Sequence, residues 1–106
     1  MTIVNVNRNN HRYDITIGGH AGFNPGFDIV CSAASMLTFT LMQALKNEFD
    51  AGYMKKFEMR HASGDVHIFA VPVRECRERV EIIVDTVMLG FEMLADQYPA
   101  NVQVND

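Results

Sequence analysis

The spacing of apolar residues switches repeatedly along this chain between a period of two and a period near four, and that succession limits the folds open to it. Thr2, Val4 and Val6 fall on one parity, with Ile3, Asn5 and Asn7 on the other. The alternation resumes at Tyr13, Ile15 and Ile17 beyond the turn-like Asn7-Arg8-Asn9-Asn10, so the two runs predict a β-hairpin. Arg12, Asp14 and Thr16 fill the opposite parity, which implies one buried face and one more polar face. From about Phe27 to Asp50 the period lengthens. Ile29, Ala33, Leu37, Leu41 and Leu45 recur at four-residue steps and predict a long helix along one apolar stripe, with Gly52 as its stop.

The same two patterns then repeat. Lys56 to His61 and Val66 to Val71 flank Ala62-Ser63-Gly64-Asp65 as a second hairpin, closed by Pro72. From Arg74 to Tyr98, residues Cys76, Val80, Ile83, Val84, Val87, Phe91 and Leu94 recur at three- and four-residue steps, an amphipathic helix that Pro99 ends. Val102-Gln103-Val104 alternates and is expected to add a short strand. The order β-β-α-β-β-α, with that C-terminal strand, predicts a two-layer α+β fold. Two helices pack on one face of a mainly antiparallel four- or five-stranded sheet. A chain of 106 residues, 48% of them hydrophobic, can bury its own core, so residues 1–106 read as one domain.

Charge and cysteine content narrow the functional classes. A net charge of −4 offers no concentrated basic surface for phosphates, so no nucleic-acid partner is expected. Apolar runs such as Ile82-Ile83-Val84 are broken by charge well before the roughly 20 residues of a membrane span. The opening Met1-Thr2-Ile3-Val4-Asn5 does not read as a secretory signal, so a cytoplasmic location without a membrane partner is expected. Cys31 and Cys76 are too few for a disulfide scaffold and are expected to be free thiols. Cys76 falls on the apolar stripe of the second helix and reads as buried. His61 and His67 bracket a turn with no third ligand at suitable spacing. They read as surface or cross-strand residues, and no metal or cofactor is expected. His11 reads as a turn neighbour.

The segment from Gly18 to Cys31 carries the most chemistry. Its glycines and Pro25 make a loop that must bring His20 back toward the helix start, where Cys31 sits. A cysteine there faces unpaired backbone N–H groups and the positive end of the helix dipole, which favour a thiolate. A neighbouring imidazole could pair with the sulfur and protonate a leaving amine, and the same N–H groups could hold an oxyanion. Against this, free cysteines in apolar surroundings such as Ile29-Val30-Cys31 more often serve packing, and a histidine beside glycines is more often a surface residue. Asp28 suits an N-cap whose carboxylate accepts a backbone N–H, and it could also orient the imidazole. Ser35 lies one turn beyond Cys31 on the same side and supports the site from behind, or else bonds back to its own helix.

Gly19-His20-Ala21, then Gly26 and Asp28-Ile29-Val30-Cys31-Ser32-Ala33-Ala34-Ser35, resembles the signature of the bacterial ribosomal-processing cysteine protease family, Prp. Gly90-Phe91-Glu92-Met93-Leu94 with Gln97-Tyr98-Pro99 resembles that family's last helix and its ending. The resemblance implies an endopeptidase that removes the N-terminal extension of a large-subunit ribosomal protein, cutting after a hydrophobic or aromatic residue. It implies Cys31 as nucleophile and His20 as general acid and base. It also implies a homodimer and a mobile loop over the substrate, here the stretch carrying Gly22, Phe23, Pro25 and Gly26. The His20–Cys31 interval is one residue shorter than that family's usual one. Two other classes therefore stay open: a non-catalytic module that binds a peptide or ribosomal protein, and a thiol redox sensor using Cys31. Leu89 and Met93 lie partly off the main stripe of their helix and are candidate subunit contacts.

Overall fold

The computed structural model describes residues Met1–Asp106. Alternation in the first third of the chain becomes a hairpin of β1 (Thr2–Asn9) and β2 (Arg12–Gly18). Asn10 and His11, with φ of 52° and 60°, form its turn in the left-handed region, where the backbone matches the twist of the flanking strands. A second hairpin joins β3 (Met54–Ala62) to β4 (Asp65–Pro72). β4 pairs antiparallel with β2, and the short β5 (Val102–Asn105) pairs parallel with β1. The result is a five-stranded sheet in the order β3-β4-β2-β1-β5, antiparallel except at the β1–β5 edge. Helices α1 (Ile29–Asp50) and α2 (Arg77–Gln97) supply the second layer, α2 being preceded by a 3₁₀ turn at Arg74–Cys76. The expected α+β architecture is the observed one.

One parity of each central strand meets the helices. Val4, Ile15 and Ile68 from the sheet pack with Leu41, Leu45, Val80, Val84 and Phe91, all fully enclosed. At Gly90 the helices approach so closely that a Cβ would stand 2.7 Å from Leu37 Cδ2. Gly52, at φ +85°, ends α1 as expected, with its N–H and that of Tyr53 donating to the carbonyls of Phe49 and Glu48.

Three expectations for α1 need correction. It begins at Ile29, not Phe27, because Asp28 takes the cap position and leaves Phe27 exposed. The buried stripe is Val30, Ala34, Thr38, Leu41, Leu45 and Glu48, whereas Ile29 faces outward. Steps of four residues overrun a turn of 3.6, so a strict four-step row drifts around the helix and leaves the core side. Finally, α1 carries no charged residue from Ile29 to Leu45, a longer run than those read from the sequence, and by length and composition it is apolar enough to cross a membrane. Its buried stripe packs into the core, while Ile29, Met36, Phe39 and Phe49 face outward. Near its far end the enclosed Glu48 carboxylate accepts from Arg79 Nε and Nη2 at 3.1 and 2.9 Å, with the guanidinium 4.7 Å from the Tyr53 ring centre.

Phe91 is the largest fully enclosed side chain. Phe91→Ala is expected to lower the unfolding free energy by about 3–5 kcal/mol, measured as an earlier urea midpoint at unchanged slope.

Candidate active site

The site is built where β2 runs out. Gly19 has φ +85°, and a Cβ on it would stand 2.2 Å from the Met1 carbonyl oxygen, so no other residue fits without moving the chain. Its N–H donates to the Gly64 carbonyl at 3.0 Å, tying the strand end to the tip of the β3–β4 hairpin. His20 is thereby laid against that tip. A Cβ at Gly64 would come within 3.0 Å of His20 Nε2 and 3.2 Å of Cε1, so the imidazole occupies the space that a side chain there would take.

The loop that follows is held at both ends. Ala21 is buried with Val30 and Val102, and its carbonyl accepts from Asn101 Nδ2 at 2.9 Å. Gly22 and Gly26, at φ +67° and +90°, then turn the chain outward; the Phe23 ring meets Tyr98 edge-on at 5.2 Å, and Phe27 projects into solvent. Asp28 draws the chain back. Its Oδ2 accepts from the Phe23 and Asn24 amides at 2.8 and 3.2 Å, and its Oδ1 accepts from the Cys31 amide at 2.8 Å. These amides, that of Cys31 foremost, hold the carboxyl below the usual carboxylate range. Asp28 is the N-cap of α1, as its chemistry suggested, and neither of its oxygens bonds His20.

Cys31 is the third residue of α1 and half-buried. Its side opens onto a cleft of about 450 Å³ that His20 also lines, so the strand-end imidazole and the helix-tip thiol share one cavity. No hydrogen bond joins them. Ser35 lines the same cleft one turn on, followed by Thr38 and Phe39; the facing wall is the hairpin tip from His61 to Val66. The first helical turn offers fewer free donors than expected. The Cys31 amide is taken by the Asp28 side chain, and that of Ser32 donates to the Asp28 carbonyl at 3.0 Å. Gly22, Phe23, Pro25 and Gly26 are not part of the cleft's lining.

Elsewhere, His67 is a cross-strand residue, its Nε2 2.7 Å from Asp14 Oδ1 and its Nδ1 3.1 Å from Arg60. Cys76 is buried. His61 is exposed and pairs across the hairpin with Val66, as read from the sequence, and it also lines the cleft, with its ring edge-on to Phe39 at 5.4 Å. Only the pairing of β4 with β2, which sets Gly18 opposite Asp65, brings that turn beside His20.

Because the Asp28 carboxyl is held low in the fold, its contribution is present above the unfolded carboxylate range and is lost as pH falls through the folded value. Asp28→Asn keeps an acceptor at the cap without the charge. Its thermal midpoint is expected to be less acid-sensitive than that of the wild type below about pH 4, with circular dichroism melts as the readout.

Comparison with known proteins bears on the family and the fold. The family model described as cysteine protease Prp matches residues 1–103. No curated protein sequence matches the chain significantly. Among solved structures, the essential ribosomal processing protease Prp of S. aureus, in complex with a covalently linked product peptide, superposes with a TM-score of 0.78 at 23% identity, covering 99% of this chain and 98% of that one. The same protease with a substrate peptide gives 0.70 at 19% identity, with the same coverage. SMU.848 from Streptococcus mutans gives 0.71 at 28% identity, covering 99% of this chain and 92% of that one.

Proposed function

The chain belongs to the cysteine protease Prp family, and from that premise we propose that it is an endopeptidase removing the N-terminal extension of a large-subunit ribosomal protein, with Cys31 as nucleophile and His20 as general acid and base. The reading rests on one observation: the thiol at the tip of α1 and the imidazole from the end of β2 open onto the same cleft. The Cys31 thiolate attacks the scissile carbonyl carbon, and the imidazolium of His20 gives its proton to the departing amine as the C–N bond breaks. Neutral His20 then takes a proton from water, whose oxygen attacks the thioester and releases the carboxyl product together with the thiolate. Ser35 borders the path between the reacting groups and the rest of the cleft. The loop carrying Gly22, Phe23, Pro25 and Gly26 gates substrate entry, its exposed arc beyond Asn24 moving while the Phe23 and Asn24 amides stay bonded to Asp28.

The protein works in the cytoplasm, without nucleic acid or membrane as a partner, and as a homodimer. The exposed Leu89 and Met93 of α2, with Met36 of α1, supply the apolar surface for the subunit contact.

Incubation with a ribosomal-protein extension peptide, followed by mass spectrometry, tests the activity. Wild type is expected to yield two fragments, whereas Cys31→Ser and His20→Ala lose about a thousandfold or more of the rate. Peptide binding without hydrolysis that persists in Cys31→Ala would instead identify a binding module; peroxide-dependent modification of Cys31 without cleavage would identify a redox sensor. Gly64→Ala, which crowds the imidazole, is expected to slow cleavage while leaving alkylation of Cys31 by iodoacetamide measurable. Leu89→Lys combined with Met93→Lys is expected to convert a dimer to a monomer by sedimentation.

A further inference from the structure

The cleft has two unlike ends. Around Cys31, His20 and Ser35 it is polar; farther along α1 its wall is the ring of Phe39, with His61 edge-on to it at an interplanar angle of 74°. Phe39 is 48% exposed and lines the cleft, so a large aromatic side chain is left partly open to it instead of being packed away. Neither Lys nor Arg lines the cleft, and Asp65 at the hairpin tip is its one carboxylate. The far end thus offers apolar, aromatic contact with no cation to receive an acidic side chain.

The position of that wall sets which substrate residue reaches it. Cys31, Ser35 and Phe39 follow one another at four-residue steps, and a rise of 1.5 Å per residue puts the backbone of Phe39 about 12 Å along the helix axis from that of Cys31. An extended peptide advances about 3.3 Å per residue, so about 12 Å corresponds to three or four residues. We propose that the Phe39–His61 pair is a specificity subsite for an aromatic or large apolar side chain three to four residues away from the scissile bond. This rests on the protease reading for its point of reference, and it adds a second recognition element to the one beside the scissile bond. Contact between aromatic rings supplies selectivity, and the imidazole of His61, packed against Phe39, restricts the rotation of its ring.

A peptide panel tests it. Each labelled peptide keeps one phenylalanine before the scissile bond and carries a second one walked outward, residue by residue on either side, through an alanine background. Binding is measured on Cys31→Ser protein by fluorescence anisotropy, and kcat and KM on wild type. A second phenylalanine at the third or fourth position is expected to tighten binding about tenfold over alanine and to lower KM with little change in kcat. Phe39→Ala should erase that advantage, His61→Ala should diminish it, and His61→Phe should preserve it. Should Phe39→Ala fail to fold, the two His61 variants decide the point from the opposite wall. Position-dependent binding without any cleavage would count against the protease reading and still support the subsite. Binding that is flat along the panel, or an advantage that survives both Phe39→Ala and His61→Ala, would overturn the subsite whether or not cleavage occurs.

Discussion

The antiparallel pairing of β2 with β4 is the constraint on which the site depends. The two hairpins are separated in sequence by the whole of α1, yet this pairing sets Gly18 opposite Asp65 and passes a backbone hydrogen bond from Gly19 to Gly64. Without it, His20 would end a strand with nothing beside it. With it, the imidazole lies against a turn of the second hairpin, and the helix leaving the next loop presents its first turn to the same cavity. Ordinary sheet geometry thus brings together groups that local sequence keeps apart.

What was legible in the sequence follows from which forces are local. Alternation in Val4, Val6, Ile15 and Ile17 exposes a strand's two faces directly, and all four side chains are buried on one face. The role of Asp28 was legible for the same reason: a cap is a contact between a carboxylate and amides a few residues away. The phase of the α1 stripe is not legible from a four-residue step, which approximates a turn only over a short distance. His61 was out of reach, since its place in the cleft is set by strand order, which no local pattern encodes.

The linkage of Asp28 to both sides of the site has an energetic logic. One carboxylate satisfies two amides of the loop and one of the helix, so closing the loop and starting the helix are a single event. The same economy removes donors from the first turn. Catalytic use of backbone amides there falls to those the cap leaves free, and the surrounding side chains carry correspondingly more of the recognition.

Anchorage at Ala21 and at Asp28 also separates the outer part of the loop from His20 and Cys31. Residues between Asn24 and Asp28 are exposed, whereas His20 and Cys31 are fixed from behind by the sheet, the hairpin tip and the helix. Lengthening or shortening that outer arc would leave the two side chains where they are, so the arc can vary as an independent module.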